Sequence, residues 1–172
     1  SSIGYYFPEE GTTINALKEY RESNYSAQID GADQAADGGY AALWVDHGKN
    51  PTDESYEYVL LPGMDADETA AYAENPQIEV LENNDSVHAV RHNGSLTGAD
   101  SKKSWFMFDD EIVAVGSSIT STTGNCVETI VDNRQISEDL SNKVTSNGET
   151  PDSTDNSDNN DKHGTVFEDV TW

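Results

Sequence analysis

Histidine, cysteine and acidic side chains are the groups in this sequence that could carry chemistry, and their spacing narrows what that chemistry can be. His47 follows Trp44 and Asp46, the types needed for a general base steered by a carboxylate. The same residues also suit a strand that ends in a turn, and that is the reading adopted here. His88 and His92 stand four apart, which in a strand puts them on one face. A zinc site needs three or four ligands, and the sequence supplies no third one nearby. No Ser/His/Asp order, phosphate-binding loop or pair of cysteines is present. No catalytic residue and no organic cofactor is therefore expected.

Two further groups invite binding. Asp155, Asp158 and Asp161, interleaved with asparagines, offer the hard oxygen ligands that Ca²⁺ takes. Counted from Asp155 or Asp158, the glycine and the final glutamate of an EF-hand loop are missing, so a solvated loop is preferred over a metal site. Asn24, Asn84 and Asn93 each begin an Asn-x-Ser sequence on an expected loop or turn and are candidate glycosylation positions.

The elements that must position these groups are mostly strands. Lys103–Arg134 forms the centre. Trp105-Phe106-Met107-Phe108 breaks at Asp109-Asp110 and resumes as Glu111–Gly116, which predicts a tight hairpin. A third run, Cys126–Val131, is expected beside that hairpin, with Cys126 as a small core residue. Tyr40–Asp46 and Ser55–Leu61 read as buried strands. Ser1–Pro8 reads as a short aromatic strand, and Gln77–Leu81 and Ser86–Arg91 as two short ones. Thr12–Ser26 is ambiguous: Ile14, Leu17 and Tyr20 have helical spacing, but in a β protein the segment fits a strand and a loop equally. One helix is expected, opening at Asp65 with Glu68 completing a capping box and ending at Asn75-Pro76. Asn93-Gly94 predicts a tight turn. Residues 142–163 form an acidic low-complexity loop, in which Asn147-Gly148 could close a small hairpin. His163–Trp172 reads as a closing strand.

Composition bounds the rest. The chain has 172 residues, 34% of them hydrophobic, enough for one domain with a thin core. Its 33 acidic and 9 basic residues give a formal net charge of −24. Such a chain does not bind nucleic acid through its phosphates. Acid excess spread over the whole length reads as adaptation to molar salt, where a Debye length of about 3 Å screens self-repulsion. A surface that collects divalent cations is the competing explanation. No signal peptide and no apolar run of membrane length is read, which implies a soluble chain or a mature exported segment, without membrane insertion.

The segment KSWFMFDDEIVAVGSSI…VETIVDNR resembles the central β-domain of polysaccharide lyase family 8, the hyaluronate, chondroitin and xanthan lyases. Gly4-Tyr5-Tyr6-Phe7-Pro8, Leu43–Gly48 with Pro51, Tyr56…Leu61-Pro62, Glu68–Ala73, Val80-Leu81 and His88-Ala89-Val90 match as well. In those lyases the KSWF segment precedes the GYYFP segment, whereas here it follows. The resemblance therefore implies a circular permutant, joined near Asn93–Lys103 and opened between Trp172 and Ser1. Those two termini should then be neighbours in space. It also implies that the elimination residues of the family, which sit on an upstream α/α-toroid, have no counterpart in these residues.

The expected fold is an all-β antiparallel sandwich of roughly ten strands with one short helix, a single domain over residues 1–172. The expected function is that of a non-catalytic extracellular module related to polysaccharide lyases, with a carbohydrate-binding or scaffold role. The alternatives are a structural subunit of a halophilic surface filament, layer or viral appendage, and a β-domain assisting a lyase toroid on another chain. The expected partners are polysaccharide or further copies of the chain.

Overall fold

Among the described residues one segment is helical and most of the others pair into sheets. The computed structural model of the protein describes residues 2–9, 11–22, 24, 34–99, 102–146 and 164–167. The strands are β1 (Ile3–Tyr6), β2 (Ile14–Arg21), β3 (Gly38–Lys49), β4 (Glu54–Pro62), β5 (Ile78–Asn83) and β6 (His88–His92). They continue with β7 (Ser95–Ala99), β8 (Lys103–Met107), β9 (Ile112–Ile119), β10 (Cys126–Ile136), β11 (Val144–Ser146) and β12 (Gly164–Phe167). The helix α1 spans Ala66–Glu74 and is capped as expected: Asp65 Oδ1 accepts from the Glu68 N–H at 3.0 Å, and Glu68 Oε2 accepts from the Asp65 N–H at 3.0 Å.

Among the described residues all the strand pairs are antiparallel, in three sheets. A central sheet has the order β11-β12-β1-β4-β9-β8 and is flanked by two smaller ones, β10-β3-β2 and β5-β6-β7. Alternation along the central strands serves both faces. Tyr5, Tyr56, Tyr58 and Ala114 join Ile14, Ala16, Leu43 and Val45 in a core between the central sheet and β10-β3-β2. Tyr6, Val59, Leu61, Val113 and Val115 join Tyr72, Ile78 and Val90 in a second core beneath α1 and β5-β6-β7. The fold is thus an all-β sandwich whose second face carries an extra layer. Gly116 shows how tight the first core is: a Cβ there would meet the Tyr56 ring at 2.3 Å.

Of the two readings left open for Thr12–Ser26, the segment contains the strand: β2 pairs along its whole length with β3 and buries Ile14 and Ala16. Several expectations need correction. The strand after the hairpin does not lie beside it. The polar turn at 120–125 carries the chain across to the other sheet, where β10 pairs with β3. Cys126 is exposed rather than a core residue, since it opens β10 opposite exposed Lys49 at a bulge. The strand around His47 continues to Lys49, and its turn falls at Asn50 and Asp53, both with positive φ. Asn93-Gly94 does form a turn, but it leads into an unforeseen strand, β7.

Ser1 and Trp172 lie outside the described residues. The first and last paired strand positions, Ile3 on β1 and Phe167 on β12, are register partners. Asn147-Gly148, expected to close a small hairpin, and the rest of the acidic loop from 147 to 163 also lie outside them; the flanking β11 and β12 pair antiparallel.

Candidate functional site

The sheet β10-β3-β2 turns one face to the core and the other outward. Register fixes which residues share the outer face: Asn15 and Ile130 are both partners of Trp44, and Leu17 and Asn133 are both partners of Ala42. Leu17, Ala42, Trp44 and Ile130 form the apolar floor of a shallow groove of about 200 Å³, rimmed by Arg21, Glu128 and Asn133. Ile130 is 57% exposed there. Trp44 Nε1 and Asn15 Oδ1 are buried without a hydrogen-bond partner, which leaves a donor and an acceptor unused on this face. Arg21 lies 4.9 Å from the Tyr40 ring centroid, is paired with Glu19 and reaches Asn133 Oδ1 at 3.4 Å. An apolar floor with a rim of guanidinium, amide and carboxylate can take a ring that has one apolar face and polar edges.

A second concavity, of about 330 Å³, lies at one end of the sandwich and contains His47. Glu9, Asp46, Glu54, Thr12, Thr13 and Ser55 contribute to its wall. Asp46 does not steer the His47 ring. Its Oδ1 accepts from the Gly48 N–H at 2.7 Å, while His47 Nε2 meets Thr129 Oγ1 at 2.8 Å. Burial holds the His47 imidazole below its ordinary range, opposed by Glu54 and Asp46. Burial, and then Glu54, raise the Glu9 carboxyl. A general base with an orienting carboxylate is therefore not assembled here.

His88 and His92 share a face of β6 but have separate surroundings. His88 is fully buried between Ser104 Oγ at 2.9 Å and Ser117 Oγ at 3.2 Å, and its burial favours the neutral ring. His92 stacks on Phe108 at 4.2 Å and approaches Glu111 Oε1 at 3.5 Å. Contrary to expectation it does have acidic neighbours. One ligand atom each from His92, Asp110 and Glu111 falls within 4.8 Å of the others, a donor set that could hold a divalent cation. Glu111 also accepts a 2.6 Å hydrogen bond from the Tyr72 hydroxyl.

Of the other positions singled out, Asp155, Asp158 and Asp161 lie outside the described residues. Asn84 is exposed in a turn, where its Oδ1 accepts from the Ser86 and Val87 amides. Asn93 has a positive φ in its turn, and Asn24 makes an isolated bridge with Ala35. Sequence reasoning missed Ile130, which it grouped with Val131 as one apolar run. Strict alternation could have separated them, because neighbours on a strand cannot both face the same core. It also missed Glu111 as the partner of His92, a long-range pairing without a local signature.

The family model described as polysaccharide lyase family 8, super-sandwich domain, matches residues 1–73 and 81–172. The chain is 34% identical over 139 residues to hyaluronate lyase HylB of Enterococcus faecalis, which is 80% of this chain and 12% of that protein. It is 38% identical over 105 residues to xanthan lyase of Bacillus sp. (strain GL1), covering 58% of this chain and 11% of that protein. It is 29% identical over 92 residues to chondroitinase-AC of Pedobacter heparinus, covering 53% and 13%. The chain thus spans only a small part of the length of these relatives. No solved structure matches it.

Proposed function

The chain belongs to polysaccharide lyase family 8 through its super-sandwich domain, and from that premise we propose that these residues form a non-catalytic extracellular module that binds carbohydrate. The observation that carries this reading is the groove over Leu17, Ala42, Trp44 and Ile130. The apolar face of a pyranose rests on the Trp44 and Ile130 side chains, and its hydroxyls reach Arg21, Asn133 and Glu128 at the rim. The unused Trp44 Nε1 donor gives the floor a further polar contact if the ring admits it. Relatives named for hyaluronate, xanthan and chondroitin point to acidic polysaccharides as the ligand class.

Charge then sets the conditions of binding. A formal net charge of −24 repels a uronate chain at low ionic strength. Binding should therefore strengthen as salt screens that repulsion, which suits a source living in molar salt. Elimination chemistry, where it accompanies this domain, comes from a toroid outside these residues.

The test is retention of the chain on immobilised hyaluronate, chondroitin, xanthan and a neutral glucan in molar NaCl. Retention that a soluble oligosaccharide competes away, and that Ile130→Asp abolishes with the circular-dichroism spectrum intact, supports the reading. Flow-through on every matrix overturns it.

A further inference from the structure

A different surface concerns the chain's own copies. Among the described residues β8 is the last strand of the central sheet, paired on one side with β9. The Ser117 N–H donates to the Lys102 carbonyl at 3.1 Å and the Phe108 N–H to the Glu111 carbonyl at 2.8 Å. In an antiparallel ladder, hydrogen-bonded pairs alternate with non-bonded ones. Lys102, Ser104, Phe106 and Phe108 therefore face β9 with their amides and carbonyls. Trp105 and Met107 turn theirs to the outer edge. The same two residues expose their side chains, Trp105 at 54% and Met107 at 75%. Natural edges are usually blunted by charge, proline or bulges, and the middle of this one carries an indole and a thioether instead.

The charges on the strand run from positive to negative. Of nine basic residues in the chain, Lys102 and Lys103 precede the exposed pair, while Asp109 and Asp110 follow it. We propose that β8 pairs antiparallel with β8 of a second copy about a two-fold axis at Phe106, extending the central sheet across the dimer. That register is one in which the outward amides meet. Trp105 lies opposite the second copy's Met107 and exchanges both backbone hydrogen bonds with it. Lys103 comes opposite Asp109, and Lys102 opposite Asp110. Each contact occurs twice, as an isologous interface requires, and sulfur–aromatic contact adds to the apolar overlap. A strand with like charges at both ends would repel its own copy in this register; this one attracts it.

The dimer forms against a large net repulsion, so it is stable in molar salt and dissociates as salt is removed. The experiment is sedimentation equilibrium of the full chain at tens of micromolar in molar NaCl. The expected mass is twice that of one chain. Lys103→Asp and Asp109→Lys should each give monomer, and the double variant K103D/D109K should return the dimer, because exchanging the two charges recreates the pair. Trp105→Pro should also give monomer with an unchanged circular-dichroism spectrum, since proline is tolerated on a free edge but removes the outward N–H. A monomeric wild-type chain overturns the proposal. So does a dimer that survives K103D, or a double variant that stays monomeric while folded. Polysaccharide retention, read at the groove on another sheet, is independent of these outcomes.

Discussion

Each face of the central sheet is tied to its neighbouring layer by a tyrosine hydroxyl on a carboxylate, and the two ties differ in their third member. On the first face Tyr5 of β1 donates to Asp132 of β10, and Arg134 pairs with the same carboxylate. On the second, Tyr72 of α1 donates to Glu111, which His92 of β6 approaches. Both tyrosines are driven up by burial and then by the carboxylate they meet. A guanidinium holds its charge at every ordinary pH. The second face also buries titratable groups. Fully buried His88 sits there, and so does Glu57, which alternation along β4 points away from Tyr56 and Tyr58 of the first core. The two ties thus differ in their third member, and the buried titratable groups His88 and Glu57 lie on the second face.

The largest expected difference comes from removing the carboxylates. Asp132→Ala leaves a partly buried guanidinium and the Tyr5 hydroxyl without their shared acceptor, a loss of about 3–5 kcal/mol. Glu111→Ala leaves the Tyr72 hydroxyl without its carboxylate acceptor, a loss of about 1–3 kcal/mol. Urea unfolding at neutral pH measures both. A larger loss at Glu111 would reverse the contrast and point to a role for that group beyond packing.

Next in size is the pH response. Burial, and then Glu9, push the Glu57 carboxyl from 4.5 up to about 7, against an Asn83 hydrogen bond that favours the charged form. A folded-state value above the unfolded one means the group favours the fold while protonated. That contribution is whole below pH 4.5 and is lost as pH climbs through 7, by about 3 kcal/mol at most. Glu57→Gln keeps a neutral group and should flatten this limb of the stability profile. His88 has the opposite sign. Its folded value lies below 6.5, so stability falls as pH drops beneath 6.5, and His88→Gln should remove that fall. Thermal melting from pH 4 to 8 tests both. A profile that neither substitution alters would show that the second layer does not carry the pH response.

Sequence patterning revealed those parts of this architecture that depend on neighbours along the chain. The capping box at Asp65 and Glu68, the stop at Asn75-Pro76 and the turn at Asp109-Asp110 are set by atoms a few residues apart, and all three formed. Partner choice is not local. Ile14, Leu17 and Tyr20 fit a helical face, but β3 offers β2 a full backbone ladder, and pairing overrode the periodicity. The apolar character of β10 marked it as a strand without saying which sheet it would join. Crossing to β3 also decided that Cys126 would face solvent and that Asp132 would reach Tyr5. The groove was illegible for a related reason: its floor draws on three strands, and only the register brings Leu17, Trp44 and Ile130 together. The charge gradient along β8 was local and readable, but its meaning depends on β8 being the last strand of the sheet.

The finest probe of the contrast is the tyrosine hydroxyls themselves. Tyr5→Phe and Tyr72→Phe each remove one hydrogen bond while keeping the ring in its core, a loss of about 1 kcal/mol each. After Tyr5→Phe the carboxylate of Asp132 retains Arg134, so the loss should be the same at pH 5 and pH 8. After Tyr72→Phe the carboxylate of Glu111 keeps the His92 ring at 3.5 Å but has no guanidinium beside it, so this substitution should cost more than Tyr5→Phe in urea unfolding at neutral pH. Equal losses in the two variants would mean that the third member of each tie does not matter.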